Sequence, residues 1–124
     1  MLPPPAARLR LPAAPIAVVT GATLGGIGAE VAAGMMETHH VVLACRRADA
    51  CAATAAELLR RRPAGSVACA ALDVASPASA RAFAAALAAA YPGPTLALLV
   101  NNVGVMGDQP ESSASAWAVN HLGA

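Results

Sequence analysis

The chain has 124 residues, of which 57% are hydrophobic, a formal net charge of +1 and a mean hydropathy of +0.57. This length accommodates one domain at most, and the near-zero charge argues against a nucleic-acid partner or an anionic membrane surface. No apolar run reaches the roughly 18 residues that a membrane span requires, so we expect no span.

Proline sets the first 15 residues apart from the rest. They contain five prolines, two arginines and no acidic residue. The run Pro3-Pro4-Pro5 favours an extended polyproline conformation, and the segment lacks the apolar core of a secretory signal. This composition predicts a disordered leader over residues 1–15 and one domain over residues 16–124. A short organelle-targeting leader is the less supported alternative.

Beyond residue 15, short apolar segments alternate with longer segments of helix-forming residues. Continuous apolar runs of this length are typical of strands covered on both faces. Strands alternating with helices predict an α/β fold, a Rossmann-type parallel sheet with helices on both faces. The predicted strands are 16–20, 41–45, 67–72 and 96–100; the predicted helices are 26–37, 49–62 and 77–91, and a further helix begins near Ser112.

A glycine-rich turn follows the first predicted strand and contains Gly21, Gly25, Gly26 and Gly28. In a nucleotide-binding βα unit, such glycines let the backbone approach a pyrophosphate, and the next helix offers that anion its N-terminal N–H groups. Glycines also serve ordinary tight turns. The strand before the turn and the helix after it favour the nucleotide interpretation.

Arg46 and Arg47 follow the second predicted strand, where the adenosine ribose lies in this architecture. A carboxylate there would bind a 2′-hydroxyl, whereas an arginine would pair with a 2′-phosphate. Neither Ala44 nor Cys45 offers a carboxylate. The position predicts NADP(H) rather than NAD(H), with Arg46 the better candidate because it lies nearer the strand end. The alternative is a solvated pair of arginines on a loop.

Polar residues also end the third and fourth predicted strands. Asp73 either accepts a bond from the adenine amino group or caps a turn, and the residues alone leave both open. Asn101 and Asn102 offer donors and acceptors that brace neighbouring loops or touch a ligand.

The cysteines and the neighbouring histidines give no sign of a metal site. Cys45, Cys51 and Cys69 form no CxxC pair, so we expect them to be reduced, in a reducing compartment that is cytoplasmic or organellar. His39 and His40 have no further ligand spaced to join them, and we expect both to lie on the surface.

Four stretches in order resemble the short-chain dehydrogenase/reductase family. They are Thr20-Gly21 with Gly26-Ile27-Gly28, then Asp73-Val74, then Asn101-Asn102-Val103-Gly104, and finally Val119-Asn120-His121-Leu122-Gly123. Together these motifs are specific, although each alone would not be. Residues 42–46 and 119–123 look like the retinol-dehydrogenase-like branch, which includes protochlorophyllide-reductase-like enzymes.

The resemblance implies a cofactor role for residues at each strand end. The turn glycines would line the pyrophosphate, Arg46 would hold the 2′-phosphate, and Asp73 with Val74 would flank the adenine. Asn101 would sit beside the cofactor and help to fix the central strand. The full set of cofactor-binding residues predicted in this way is Gly21, Gly25, Gly26, Ile27, Gly28, Arg46, Asp73, Val74, Asn101, Asn102 and Gly104.

For catalysis, the resemblance implies that Asn120 is the family's catalytic Asn, which holds a water in a proton relay. The reaction would be hydride transfer between a nicotinamide dinucleotide and a small carbonyl or alcohol. The family's catalytic Tyr-x-x-x-Lys pair is absent, because the sequence has no Lys and its one Tyr, Tyr91, precedes Pro92. The family pattern thus stops after the fourth strand and the start of the following helix, and we expect the chain alone to be inactive.

The sequence departs from the family pattern at three further places. Four residues separate Gly21 from Gly26, where the family has three; Val103 stands in place of the usual Ala; and His39 stands where the family normally has Gly after the first helix. The glycine turn is therefore one residue longer than the cofactor-binding turn of this family.

Two hypotheses follow. The chain is the N-terminal part of an NADP(H)-dependent oxidoreductase, or it is a non-catalytic nucleotide-binding or interaction module. In the expected strand order 3-2-1-4, the apolar fourth strand is an open edge. We therefore expect a homo-oligomer or another edge-covering partner.

Overall fold

The protein is described here from a computed structural model, which describes residues 14–93, 96–104 and 118–122. In chain order the elements are β1 (Ile16–Thr20), α1 (Ile27–Met35), β2 (His40–Cys45), α2 (Ala48–Arg61), β3 (Ser66–Ala71), α3 (Pro77–Ala90), β4 (Leu96–Val100) and a π-helical segment (Ala118–Leu122). Most of the predicted leader and the predicted helix start near Ser112 lie outside the described residues.

The four strands form one parallel sheet in the order β3-β2-β1-β4, which confirms the predicted order. The register places Ile16 opposite His40, and His40 opposite Ser66. The first residues of these three strands therefore lie at one end of the sheet. Their last residues, and the loops that follow them, lie together at the carboxyl end.

Helices cover both faces of the sheet, as predicted, because the buried side chains of the central strands alternate between two apolar clusters. On one face, Val19 and Leu43 pack with Leu58 of α2 and with alanines of α1. On the other, Val18 and Val42 pack against the side of α3. Every residue of β1 and β2 is buried, which explains their continuous apolar sequences.

The start of α3 follows from its sequence. The Ser76 hydroxyl accepts a hydrogen bond from the backbone N–H of Ser79 at 3.2 Å, and Pro77 occupies the first helical turn. A capping hydroxyl before a proline at this position is a strong signal for a helix N-terminus.

The outer strand β4 differs from β1 and β2 in exposure. Its side chains of Leu96, Leu98 and Leu99 are 47%, 38% and 51% exposed, and β4 lies at the end of the strand order. The predicted open apolar edge is therefore present in the described part of the chain.

The prediction that both neighbouring histidines lie on the surface is wrong for His40, which is 6% exposed. His39 remains partly exposed. The strand β2 begins at His40, one residue earlier than predicted, and pairs on both sides. The imidazole of His40 is hydrogen-bonded to the Ser66 hydroxyl at 2.6 Å and to the Tyr91 hydroxyl at 2.7 Å.

Among the described helices, none has the length and apolar character needed to cross a bilayer. Within the same residues, no three His, Cys, Asp or Glu side chains are arranged to hold a metal ion.

Candidate functional site

A cavity of about 300 Å³ opens at the carboxyl end of the sheet. Open parallel sheets bind their ligands at this end, in the crevice where the strand order reverses. Here the strand order reverses between β1 and β4. The cavity is lined by Gly21, Thr23, Ala44, Cys45, Arg46, Arg47, Ala50, Leu72, Asp73, Val74, Asn102, Val103 and Gly104.

Gly21 is needed both for its backbone conformation and for space. Its φ is +68°, a region that side chains other than glycine rarely adopt. A Cβ at this position would lie 2.8 Å from both Cα and Cβ of Val103. The loops after β1 and β4 thus approach each other closely at the cavity wall.

The extra residue between Gly21 and Gly26 is accommodated in a turn that projects into solvent. The N–H of Gly26 donates to the carbonyl of Thr23 at 3.1 Å. Gly25, the third residue of this turn, has φ +79°, as a type II turn requires. Leu24 is 52% exposed, and a Cβ on Gly25 would meet nothing within 4 Å. The insertion therefore lengthens the turn away from the cavity.

Asn102 joins the end of β1 to the end of β4. Its side-chain amide donates to the carbonyls of Thr20 at 3.0 Å and Gly21 at 3.3 Å. Its backbone N–H donates to the Thr20 hydroxyl at 3.0 Å, which in turn donates to the carbonyl of Val100 at 3.3 Å. A Cβ on Gly28 would overlap the Asn102 amide. Asn102 therefore makes the bracing contacts that the resemblance assigned to Asn101, whose side chain is exposed.

Arg46 and Arg47 both line the cavity but differ in their partners. Arg47 forms an ion pair with Asp49 at 3.0 Å, and its hydrogen bond is the main cause that holds the pKa of Asp49 below its usual value. Within the described residues Arg46 forms no such pair. Arg46 is the cation of this pair that remains available to an anionic ligand.

Asp73 caps a turn and also lines the cavity. Its carboxylate oxygen Oδ1 accepts a hydrogen bond from the backbone N–H of Ala75 at 3.0 Å, and its own N–H donates to the Ser79 hydroxyl at 2.9 Å. The turn that holds Asp73 in place is thus part of the start of α3. Its neighbour Val74 contributes an apolar wall to the same cavity.

Asn120 lies close to the loop after β4. A Cβ on Gly104 would lie 3.5 Å from the side-chain oxygen of Asn120, and Gly104 lines the cavity. The π-helical segment therefore brings Asn120 to the carboxyl end of the sheet.

The structure gathers half of the predicted site residues around the cavity. These are Gly21, Arg46, Asp73, Val74, Asn102 and Gly104. Gly25, Gly26, Ile27, Gly28, Asn101 and Asn120 lie outside its lining. Gly26 precedes α1 and makes no side-chain cap, so the first N–H groups of that helix remain available to an anion.

The cavity and its brace also include residues that sequence reasoning missed. Cys45 and Leu72 line the cavity because they lie at the ends of β2 and β3, and Thr20 anchors Asn102. Their position at or beside a strand end was the available signal.

The family model described as short chain dehydrogenase matches residues 15–122. The chain is similar to a metagenomic short-chain oxidoreductase solved with NADP, with 29% identity, a TM-score of 0.76, and 90% of this chain matching 52% of that one. None of the curated proteins compared with the chain matches it.

Two further solved structures are similar. An actinorhodin polyketide ketoreductase variant with NADPH has 31% identity and a TM-score of 0.76, with 89% of this chain covering 43% of that one. RhlG of Pseudomonas aeruginosa, in an NADP active-site complex, has 33% identity and a TM-score of 0.74, with 90% covering 42%. The chain spans about half the length of these proteins.

Proposed function

The chain belongs to the short-chain dehydrogenase family, and on that basis we propose that it supplies the cofactor-binding part of an NADP(H)-dependent oxidoreductase. When bound, the nicotinamide supplies or takes up the hydride that is exchanged with a carbonyl or alcohol substrate. The observation that carries the proposal is the cavity at the strand-order reversal, with Arg46 on its wall and no acidic partner for it among the described residues.

The residues present fit a dinucleotide. Gly21 lets the loops after β1 and β4 pack closely at the cavity wall, and the start of α1, which has no side-chain cap, offers N–H groups to a pyrophosphate. We propose that Gly21, Gly25, Gly26, Ile27 and Gly28 form this pyrophosphate wall, and that Asp73, Val74, Asn101, Asn102 and Gly104 line the adenosine and nicotinamide sides.

Preference for NADP(H) over NAD(H) rests on Arg46. A guanidinium binds phosphate with charge-assisted hydrogen bonds, and no carboxylate ends β2 to bind a ribose hydroxyl instead. The solved relatives with 29% to 33% identity that carry NADP or NADPH support the same preference. Arg47 is the weaker candidate because Asp49 already neutralises it.

Titration of the chain with NADPH and NADH tests this assignment. We expect Arg46→Ala to weaken NADPH binding by about tenfold or more, the range for a hydrogen bond to a charged group, and to leave NADH binding unchanged. Arg60→Ala is the matched control, since Arg60 pairs with Glu57 on the surface of α2. Equal weakening of both dinucleotides by Arg46→Ala would contradict the 2′-phosphate role.

We propose that the chain alone does not turn over substrate. Asn120 is proposed to hold a water for proton transfer, but a proton donor is also needed. The sequence has no Lys, and Tyr91 is 7% exposed and hydrogen-bonded to His40 at the opposite end of β2. Robust NADPH-dependent carbonyl reduction by the purified chain would refute this inactivity.

The second candidate is a non-catalytic module that binds a nucleotide or a relative of the chain. Tyr91 is hydrogen-bonded to His40 at the end of the sheet opposite the cavity, so it is not placed to donate a proton there, and this favours the non-catalytic module. Micromolar NADPH binding without turnover, in the presence and absence of added cell extract, supports a module. Turnover that appears only with a separate polypeptide carrying the Tyr-x-x-x-Lys pair supports the first proposal, in which the chain is the cofactor-binding part of an oxidoreductase.

Within the family, we propose the retinol-dehydrogenase-like branch, which includes protochlorophyllide-reductase-like enzymes. Residues 42–46 and 119–123 support this assignment. Its test is a panel of retinoid and short-chain carbonyl substrates, offered to a chain completed with the missing catalytic pair. Reduction of short-chain carbonyls but not of retinoids would overturn it.

A further inference from the structure

Three cysteine side chains lie on the same face of the sheet, beside the cavity. Cys45 ends β2, and the register places Cys69 of β3 opposite Leu43 of β2. Residues 43 and 45 share one face because successive strand side chains alternate. Cys51 enters this face from the first part of α2, where its thiol donates to the carbonyl of Leu43 at 3.4 Å.

The three thiols differ in exposure. Cys45 lines the cavity and is 5% exposed, whereas Cys51 is 1% exposed. Cys69 is half-buried and does not line the cavity. A small oxidant that enters the cavity therefore meets Cys45 first.

We propose that Cys45 and Cys51 form an oxidisable dithiol, with Cys45 in the cavity wall and Cys51 behind it, and that its disulfide state lowers dinucleotide affinity. The second half of this proposal rests on the proposed function, whereas the first half stands on the thiol geometry alone. The oxidant is a hydroperoxide, of which hydrogen peroxide is the simplest.

The pKa directions agree with Cys51 as the resolving thiol, whereas the position of Cys45 in the cavity lining distinguishes it from Cys69. Contact with the Cys51 thiol lowers the pKa of Cys45 and of Cys69 alike, because the single S–H of Cys51 stabilises whichever thiolate it turns toward. Hydrogen bonds with both neighbouring sulfurs, together with burial, raise the pKa of Cys51. Since the thiolate is the nucleophile, Cys45 reacts with the oxidant and Cys51 resolves the product.

The chemistry balances in two steps. The Cys45 thiolate attacks one peroxide oxygen, the O–O bond breaks, and the hydroxide that leaves takes a proton to become water. The Cys51 thiol then attacks the sulfenic sulfur of Cys45, the S–O bond breaks, and a second water leaves. Two thiols are oxidised to one disulfide while one peroxide is reduced to two waters.

Such a bond would change the cavity because Arg46 directly follows Cys45. The disulfide draws the end of β2 toward α2, and so moves the guanidinium that is proposed to hold the 2′-phosphate. Conversely, a dinucleotide in the cavity covers Cys45 and slows its oxidation.

Peptide mapping can identify the bond directly. Cleavage after arginine places the three cysteines on separate peptides, 11–46, 48–60 and 62–81. After treatment of the reduced, folded chain with hydrogen peroxide, we expect peptides 11–46 and 48–60 to be joined, with a mass about 2 Da below their sum. Joining of 48–60 to 62–81, or no joined peptide, would overturn the proposal.

Variants at the three cysteines assign the roles. Cys45→Ser should abolish the bond, with Cys45→Ala as a second version in case one folds poorly. Cys51→Ser should leave Cys45 as a sulfenic acid that dimedone traps. Cys69→Ser is the matched control and should form the bond at the rate of the unchanged chain. A bond that forms without Cys45 would refute its role as the reacting thiol.

NADPH titration before and after oxidation tests separately the two parts of the proposal, disulfide formation and its effect on dinucleotide affinity. We expect the disulfide form to bind NADPH about tenfold more weakly, with affinity restored by dithiothreitol, and bound NADPH to slow disulfide formation. If the reduced chain binds no NADPH but the bond forms, the proposed function fails and the dithiol stands. If NADPH binds equally to both forms, the coupling is wrong.

Discussion

At the scale of single residues, the contacts of Asn102 connect the glycine turn to the fourth strand. Its side-chain amide satisfies two carbonyls at the end of β1, and Gly28 of α1 leaves the space that this amide fills. One side chain thereby fixes a turn, a helix start and a strand end relative to one another. Rigid support of this kind is what a binding site made of loops requires.

Replacing Asn102 tests this connection. We expect Asn102→Ala to lower the free energy of unfolding by about 1–3 kcal/mol, because two partly buried carbonyls lose their donor. Asn101→Ala is the control and should change stability by less than about 0.5 kcal/mol, since that side chain is exposed. Urea denaturation measures both values, and equal effects would contradict the assignment.

The same contact predicts a coupling between two positions. Gly28→Ala alone should destabilise the chain, because its new methyl group overlaps the Asn102 amide. In the Asn102→Ala background that overlap is gone, so the added cost of Gly28→Ala should fall. A double-mutant cycle with additive effects would argue against this packing.

Also at the residue scale, His40 holds a buried network at the opposite end of the sheet. Its two ring nitrogens are hydrogen-bonded to the hydroxyls of Ser66 and Tyr91, and no carboxylate pairs with it among the described residues. Burial lowers the pKa of His40 below its ordinary value of 6.5. The network therefore contains a neutral imidazole.

This burial gives a pH dependence with a definite sign. Below pH 6.5 the unfolded chain binds a proton at His40 that the folded chain resists, so stability falls as pH falls toward the lowered pKa, and is fully present above 6.5. We expect His40→Gln to flatten the slope below pH 6.5. His39→Gln, outside the network, should keep the original slope; identical slopes for all three proteins would contradict the argument.

At the scale of elements, β4 contrasts with β1. Both are five-residue apolar strands, but β1 lies between two strands and β4 pairs on one side only. The helix α3 likewise has no fully buried residue, although Phe83 and Leu87 pack against the core. In the described part of the chain, β4 and the outer surface of α3 are therefore not covered by any further element.

An uncovered apolar edge strand promotes association between chains. We expect the chain to self-associate, and Leu98→Lys to reduce that association, because a charge on an edge strand opposes strand pairing. Leu59→Lys on α2 is the matched control, since Leu59 and Leu98 are 39% and 38% exposed. Light scattering at increasing concentration measures the effect. Equal reductions by both variants would point to general charge repulsion rather than the edge.

At the scale of the whole molecule, the described chain is four parallel strands that meet at one cavity, and it spans about half the length of its solved relatives. Because the cavity is built from strand ends that come from all parts of the sequence, a ligand bound there should stabilise the whole folded domain.

We propose that the domain begins close to Pro15, because the carbonyl of that residue accepts a hydrogen bond from the His40 N–H at 2.9 Å.

NADPH should therefore stabilise the whole unit. At a concentration a hundred times its dissociation constant, we expect about 2.7 kcal/mol of added stability, seen as a higher melting temperature. Removal of residues 1–13 should leave this shift unchanged if the leader is separate from the domain. A smaller shift after this removal would place the leader at the site.

The sequence by itself determined the order of elements, the parallel sheet and the residues at the strand ends. Strand and helix periodicities are local, and the carboxyl ends of parallel strands must meet at one edge. It therefore placed Arg46, Asp73 and Asn102 at strand ends, and the structure brings these residues to one cavity. It also predicted the position of the glycine turn, but not that the inserted residue projects into solvent.

Only the tertiary structure decided which residues touch across long stretches of chain. Asn102 lies 82 residues from Thr20, and Tyr91 lies 51 residues from His40. Such contacts depend on strand register and helix placement, which no local pattern specifies. For the same reason the burial of His40, the bracing contacts of Asn102 rather than Asn101, and the gathering of three cysteines on one face of the sheet emerged from the fold alone.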